Sequence, residues 1–74
     1  GEKYDFILAN INRNILIDMM PSFAKLLGKG GQLLMSGFFV EDVEILNEVA
    51  EANGFHRVES LSSDGWAVLK CRKI

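Results

Sequence analysis

The feature that most constrains this chain is the apolar run from Tyr4 to Ala9 (YDFILA), in which Phe6 to Ala9 show no alternation of apolar and polar residues. A strand with one buried face alternates with a period of two, whereas a strand covered on both faces does not. The segment from Gln32 to Ser36 (QLLMS) has the same character and predicts a second buried strand between Gly28–Gly31 and a turn at Gly37-Phe38-Phe39. Two such strands favour an α/β fold with a mostly parallel sheet.

Two segments with helical periodicity alternate with these strands. Apolar residues recur every three or four positions from Ile15 to Leu27, which indicates an amphipathic helix. Pro21 lies in its middle and predicts a kink or two short helices in series, because proline lacks the backbone N–H of a helical bond. The segment from Glu41 to Asn53 predicts a second helix with an acidic start, and Gly54 occupies the usual left-handed position after its end.

Two further strands are predicted over Phe55 to Leu61 and Trp66 to Arg72. The Asp64-Gly65 pair between them predicts a tight hairpin, with Trp66 packed beside it. The predicted order is therefore β-α-β-α-β-β, with three parallel strands joined by helical crossovers and one antiparallel strand. Crossovers of this kind are right-handed, so strands laid down in one direction place both helices on one face of the sheet.

A sheet with helices on one face conflicts with strands that are apolar on both faces. Their second face needs a cover that these 74 residues do not supply. The sequence also begins with Gly1-Glu2-Lys3 rather than Met and enters an apolar strand within a few residues. We therefore expect that these 74 residues are a piece cut from inside a longer protein. The bare face and the unpaired edge of the first strand predict that the isolated chain self-associates.

Composition narrows the classes of function. The net charge is −2, and the basic residues are scattered apart from Lys70, Arg72 and Lys73, which does not favour direct binding to nucleic acid. The apolar runs are too short to span a membrane, and the first residues do not predict a secretory leader. One histidine, His56, and one cysteine, Cys71, cannot build a zinc site, and a lone thiol suits a reducing cytoplasm. We expect a cytoplasmic protein without a metal.

Several motifs in sequence order resemble one enzyme family. They are Asp5 to Ile11 (DFILANI), the helix that carries Leu16 and Pro21, Gly30 to Gly37 (GGQLLMSG), Asn53-Gly54-Phe55 and the strand that follows Gly65. From Tyr4 to Lys73, the chain resembles the second half of the ribosomal protein L eleven methyltransferase family, whose class I catalytic domain has a Rossmann-like fold. The resemblance implies that residues 1–74 are strands four to seven of that domain, with the N-terminal cofactor-binding half absent.

The resemblance implies a parent enzyme that uses S-adenosylmethionine to methylate amine groups of a ribosomal protein, on lysine or at the chain terminus. The family's glycine-rich loop and its acidic ribose-binding residue would lie upstream, so we expect the chain alone to be inactive. Two alternatives stay open. One is a related methyltransferase that acts on another protein, a small amine or RNA, and the other is a non-catalytic, self-associating α/β module.

Asn10 is the leading candidate for a site residue. It follows the first strand at its carboxyl end, where open α/β sheets bind ligands. The resemblance makes it the family's asparagine that contacts S-adenosylmethionine, and the alternative is a plain helix N-cap. The chain has Asn-Ile-Asn-Arg where amine methylases carry Asn-Pro-Pro-Tyr. It lacks the aromatic residue that stacks on a planar substrate, which favours a flexible aliphatic amine.

Five other residues are candidates for a substrate pocket. Ile11 and Asn12 follow Asn10, and for Asn12 the N-cap role is favoured. Ser36 and Gly37 stand at the carboxyl end of the second strand, where a glycine allows close approach of a substrate and an ordinary turn is the equal alternative. Phe38 lines an entrance or, as adjacent phenylalanines more often do, seats a helix against the core.

Overall fold

The computed structural model describes residues 3–74. Its elements are β1 (Tyr4–Asn10), α1 (Arg13–Leu26), β2 (Leu27–Phe39), a 3₁₀ turn (Val40–Asp42), α2 (Val43–Ala52), β3 (Phe55–Ser63) and β4 (Trp66–Lys73). This order is the β-α-β-α-β-β order that the sequence predicts. Both helices fall short of the length and apolar character that crossing a membrane requires.

The four strands form one sheet in the order β1-β2-β4-β3. β1 pairs in parallel with β2, and β4 runs antiparallel to both β2 and β3. The prediction of three parallel strands and one antiparallel strand is confirmed. The three parallel strands are laid down in one direction across the sheet, and β4 turns back to lie between β2 and β3. Burial explains this position, since β4 (WAVLKCRK) contributes fully buried Leu69 and Cys71 while β3 (FHRVESLSS) is mostly polar and suits an edge.

Both helices pack on the same face of the sheet, as predicted. Leu33 and Met35 of β2 and Leu69 and Cys71 of β4 point to that face and have no exposed surface. They share one core with apolar residues of both helices: Leu16, Met20, Phe23, Val43, Leu46 and Ala50. The core thus joins the β1-α1-β2 unit to the following α2 and hairpin.

The opposite face, which we call the open face, is uncovered within residues 3–74. Phe6 and Leu8 of β1 are 50% and 64% exposed, and they stand in register with Gln32 and Leu34 of β2. On β4, Val68 adds an apolar side chain to this face, and Lys70 stands in register with Leu34. Along its other edge, β1 pairs with no strand of the described chain. Both features match the expectation of a bare face and an unpaired edge.

Helix α1 is one uninterrupted helix, so the expectation of two short helices is wrong. Pro21 lies inside it with its ring exposed to solvent. An internal proline costs about 3 kcal/mol or more. Met20 and Phe23 on either side are buried in the core, and their packing holds the helix together across the missing bond.

Strand β2 is longer than predicted at both ends. It includes Gly28–Gly31, and it continues through Gly37-Phe38-Phe39 instead of turning there. Ser36 pairs with Val68 and Phe38 with Ala67, so Gly37 is an extra residue that forms a β-bulge with φ +91°. The extra residue reverses the alternation of side chains. Phe38 consequently enters the core at 2% exposure, and Phe39 points outward at 49%.

The second half of the chain follows its predicted turns with shifted boundaries. Helix α2 begins at Val43 rather than Glu41, after the 3₁₀ turn. Gly54 has φ +88° after the helix end, as expected. Asp64 and Gly65 have φ values of 52° and 84°, which a two-residue type I′ hairpin requires. The tight hairpin is confirmed.

Candidate functional site

The carboxyl ends of β1 and β2 border an open cavity of about 830 Å³, which we call the carboxyl-edge groove. Its lining residues are Asn10, Ile11, Asn12, Ser36, Gly37, Leu61, Ser62, Ser63, Trp66, Ala67 and Val68. The groove therefore brings together five of the six residues predicted from the sequence. Its position agrees with the general rule that open α/β sheets bind ligands at the carboxyl ends of their strands.

Parallel pairing sets the spacing of the polar groups in this groove. Asn10 stands in register with Ser36, and Ser36 with Val68 on the next strand. The Ile11 backbone N–H donates to the Ser36 carbonyl oxygen at 3.2 Å and extends the pairing one residue beyond β1. Neighbouring strands lie about 5 Å apart, so the three residues form a row about 10 Å long across the groove.

The two asparagines near the end of β1 have different surroundings. Asn12 is the N-cap of α1, and its side-chain oxygen accepts from the Ile15 backbone N–H at 3.0 Å. Asn10 is the last residue of β1, is exposed, and makes no side-chain hydrogen bond within residues 3–74. The N-cap alternative for Asn10 is therefore wrong. Its amide is available to a ligand, whereas the Asn12 oxygen is already engaged.

Gly37 lies directly against Asn10. A Cβ placed on Gly37 would stand 2.7 Å from Asn10 Oδ1, 3.0 Å from the Ile11 carbonyl oxygen and 3.1 Å from the Ile11 nitrogen. From the sequence, Gly37 either lets a substrate approach or belongs to an ordinary turn. The atom nearest to that Cβ position belongs to Asn10, the candidate ligand-binding residue. Glycine is therefore needed at position 37 to leave room for the Asn10 side chain.

Phe38 does not line the groove, because its ring is buried in the core. This is the packing role that the sequence analysis weighed against a pocket role. Phe38 also borders a separate cavity of about 220 Å³ on the α1 side of Gly37. The bulge at Gly37 accounts for its inward position.

Six groove residues were not predicted from the sequence: Leu61, Ser62, Ser63, Trp66, Ala67 and Val68. Trp66 is the largest of them, and the sequence had suggested only packing beside the hairpin for it. The indole is 52% exposed, lines the groove and stacks on Phe39 with the ring centroids 4.4 Å apart. The Asp64-Gly65 turn fixes Trp66 at the start of β4, beside the end of β2. Because β4 runs antiparallel, its start lies at the carboxyl edge, and this signal was available in the sequence.

The groove has no charged side chain of its own among the residues of the described chain that line it. Arg13 and Asp42, which form an ion pair with an N–O distance of 3.8 Å, line the smaller cavity that shares Asn12 and Gly37 with the groove. The chain's one histidine, His56, lines a different cavity with Lys29 and Arg72. The groove can therefore bind and orient a ligand through amide, hydroxyl and aromatic groups, and it contains no general base from residues 3–74.

Comparisons with known proteins agree with this geometry. The family model described as "Ribosomal protein L11 methyltransferase (PrmA)" matches residues 1–74. A ribosomal protein L11 methyltransferase of Porphyromonas gingivalis is 51% identical over 67 residues, which cover 90% of this chain and 23% of that protein. The solved ribosomal protein L11 methylase of Lactobacillus delbrueckii subsp. bulgaricus has a TM-score of 0.88 and 29% identity, over 97% of this chain and 38% of that one.

A more distant neighbour supports the fold alone. The M1.HpyAVI–SAM complex has a TM-score of 0.80 at 16% identity and covers 96% of this chain and 45% of that one. The predicted fold, part of a class I methyltransferase domain, is thus confirmed, and the chain spans about a quarter of the length of the curated relatives that it matches. The family match over residues 1–74 leads to one conclusion: this chain belongs to the ribosomal protein L11 methyltransferase family.

Proposed function

We propose that this chain is the C-terminal part of a cytoplasmic protein N-methyltransferase that uses S-adenosylmethionine and whose substrate is ribosomal protein L11. The observation that carries the proposal is the free side-chain amide of Asn10 in the carboxyl-edge groove, in register with Ser36. The names of the relatives support ribosomal protein L11 as the substrate, and a fold neighbour described as a SAM complex supports the cofactor.

The lining of the groove fits a positively charged cofactor. S-adenosylmethionine, when bound, supplies an activated methyl group on a sulfonium sulfur. The groove lining includes no lysine or arginine to repel that charge, and Asn10 and Ser36 offer hydrogen-bonding groups from adjacent strands. These residues form one side of an open groove. We therefore expect the isolated 74-residue chain to bind the cofactor weakly and to be inactive.

The same groove suits an aliphatic amine as the methyl acceptor. A nitrogen attacks only when it is deprotonated, and the groove lining has no carboxylate that would hold an ammonium ion in place. Trp66 and Leu61 are exposed apolar residues that can pack against the carbon chain of such a substrate. The role of Asn10 is to hold the nitrogen in line with the methyl group, since alignment lowers the barrier without further chemistry from the protein.

The test is methyl transfer by the full-length protein to purified ribosomal protein L11, followed by mass spectrometry. Wild type should add methyl groups, and Asn10→Ala should lower kcat by about 100-fold, as misalignment of reacting groups does. Asn14→Ala is the matched control, because Asn14 is exposed on α1 and does not line the groove. Full turnover by Asn10→Ala, or wild-type methylation of RNA or small amines but not of the protein, would contradict the proposal.

A further inference from the structure

We infer that Gly37 is a positioning residue: because it has no Cβ, it leaves the space that the Asn10 amide needs to face the carboxyl-edge groove. The kinetic consequence of this inference rests on the proposed function. Its geometric part depends only on the packing of Gly37 against Asn10 and Ile11.

The β-bulge brings Gly37 to the end of β1. Asn10 and Ser36 are the last register pair between β1 and β2, and the Ile11 N–H then donates to the Ser36 carbonyl oxygen at 3.2 Å. The next residue, Gly37, is skipped by the pairing with β4 and adopts φ +91°. The bulge therefore directs the backbone of β2 toward the Asn10–Ile11 segment at the point where the strands end.

Contact distances show which group would yield if Gly37 had a side chain. Its Cβ would meet Asn10 Oδ1 at 2.7 Å, closer than real Cβ contacts allow, and two backbone atoms of Ile11 at 3.0 and 3.1 Å. The Ile11 backbone is held by its bond to Ser36. The Asn10 side chain has no hydrogen bond within residues 3–74 to resist movement, so its amide would rotate away. The missing Cβ of Gly37 thus leaves the space that the present orientation of Asn10 requires.

Gly30 provides a matched control in the same strand. It also has a positive φ, +83°, but a Cβ built there meets no atom within 4 Å. Alanine at either glycine forces a side chain into a left-handed backbone conformation and strains it. Only alanine at position 37 also presses on Asn10. A difference between the two variants therefore reports the contact and not the backbone strain.

The experiment uses the full-length protein and compares wild type, Gly37→Ala, Gly30→Ala, Asn10→Ala and the double variant Asn10→Ala/Gly37→Ala. Side-chain amide resonances in a ¹⁵N NMR spectrum report the surroundings of Asn10, which is assigned from the resonance that Asn10→Ala removes. Thermal melts report stability. Steady-state methylation of ribosomal protein L11 gives kcat and KM separately.

We expect Gly37→Ala to shift the Asn10 amide resonances and to lower kcat by about 100-fold, with a smaller change in KM. Gly30→Ala should lower the melting temperature without shifting those resonances or lowering kcat. Addition of Gly37→Ala to Asn10→Ala should cause no further loss of kcat, because the group that Gly37 positions is already gone. If Gly37→Ala does not fold, the double variant should be the more stable of the two, since it lacks Asn10 Oδ1.

Unshifted Asn10 resonances in a folded Gly37→Ala protein would overturn the inference. If the losses of kcat caused by the two substitutions multiply in the double variant, the inference is also overturned. If Gly37→Ala does not fold, the inference fails when Asn10→Ala/Gly37→Ala does not fold either. Failure of the proposed function is a separate outcome, because it appears as absence of methyl transfer by wild type. The resonance shifts and the thermal melts test the contact between Gly37 and Asn10 whether or not wild type transfers methyl groups.

Discussion

The indole of Trp66 stacks on the phenyl ring of Phe39, with 4.4 Å between the ring centroids and 27° between the ring planes. The two residues form the last register pair between β2 and β4. Both rings remain about half exposed, although Trp66 lines the carboxyl-edge groove. The stack therefore ties the hairpin to the end of β2 and fixes one wall of the groove.

A double-mutant cycle measures this contact. Phe39→Leu and Trp66→Leu should each lower the free energy of unfolding, and their coupling energy should be about 0.5–1.5 kcal/mol, the range for aromatic pairs. Urea titrations of the two single variants, the double variant and wild type give the value. Strictly additive losses would show that the stacked geometry adds nothing beyond burial.

The N-cap of α1 gives a second prediction. Asn12→Ala should lower the free energy of unfolding by about 1 kcal/mol, because the Ile15 N–H loses its acceptor. Asn12→Asp should leave stability nearly unchanged, since aspartate caps helices as well as asparagine does. Thermal melts of both variants check this. Equal stability of Asn12→Ala and wild type would mean that the cap contributes nothing.

Cys71 predicts a dependence of stability on alkaline pH. Burial raises the pKa of its thiol from 9.0 to about 11, and the nearby Arg57 charge only partly opposes this. A raised folded-state pKa gives stability that is complete below pH 9 and lost as the pH rises toward 11. The loss should approach about 1.4 kcal/mol per pH unit within that window. We expect Cys71→Ala to be less stable than wild type at neutral pH but to lack this alkaline loss of stability. Parallel curves of stability against pH for the two proteins would contradict the prediction.

The open face and the free edge of β1 predict self-association of the 74-residue chain. At about 100 μM, sedimentation should show dimers or larger species, because exposed apolar patches and unpaired strand edges both favour association. Leu8→Lys should reduce self-association, because Leu8 lies on the open face and on the edge strand β1, so the substitution places a charge on both. Ile45→Lys is the control, since Ile45 is exposed on α2 away from the sheet. A monomeric wild-type chain, or equal effects of both substitutions, would count against this prediction.

Much of the fold follows from local patterns in the sequence. The Asp64-Gly65 pair specifies its turn through two adjacent backbone angles, which the structure shows. The apolar spacing of α1 and α2 specifies which face of each helix meets the sheet. Asn10 and Ser36 lie at the ends of two parallel strands, so their meeting at one edge follows from the strand directions alone.

The differences arise where tertiary packing decides the outcome. Glycine inside a strand often marks a bulge, but the sequence suggests a turn at Gly37 equally well. Only the pairing of β2 with β4 shows the bulge that sends Phe38 inward and Phe39 outward. Pro21 breaks a helical bond, but burial of its neighbours outweighs that cost. The central position of β4 follows from its greater burial relative to β3, which the pattern of either strand alone does not show. The antiparallel direction of β4 places Trp66 at the carboxyl edge, but its position beside the end of β2 depends on β4 lying between β2 and β3, which local patterns do not show.

Single-turnover methylation by Asn10→Asp tests the central claim that Asn10 contacts the reacting groups. The substitution keeps the size of the side chain but removes the amide donor and adds a negative charge, which would hold a substrate amine in its protonated, unreactive form. Asn14→Asp makes the same chemical change on α1 outside the groove and serves as the control. We predict that Asn10→Asp lowers the single-turnover rate by about 100-fold, as loss of alignment does, while its melting temperature and the rate of Asn14→Asp stay near wild type. A near-normal rate for Asn10→Asp would contradict the account.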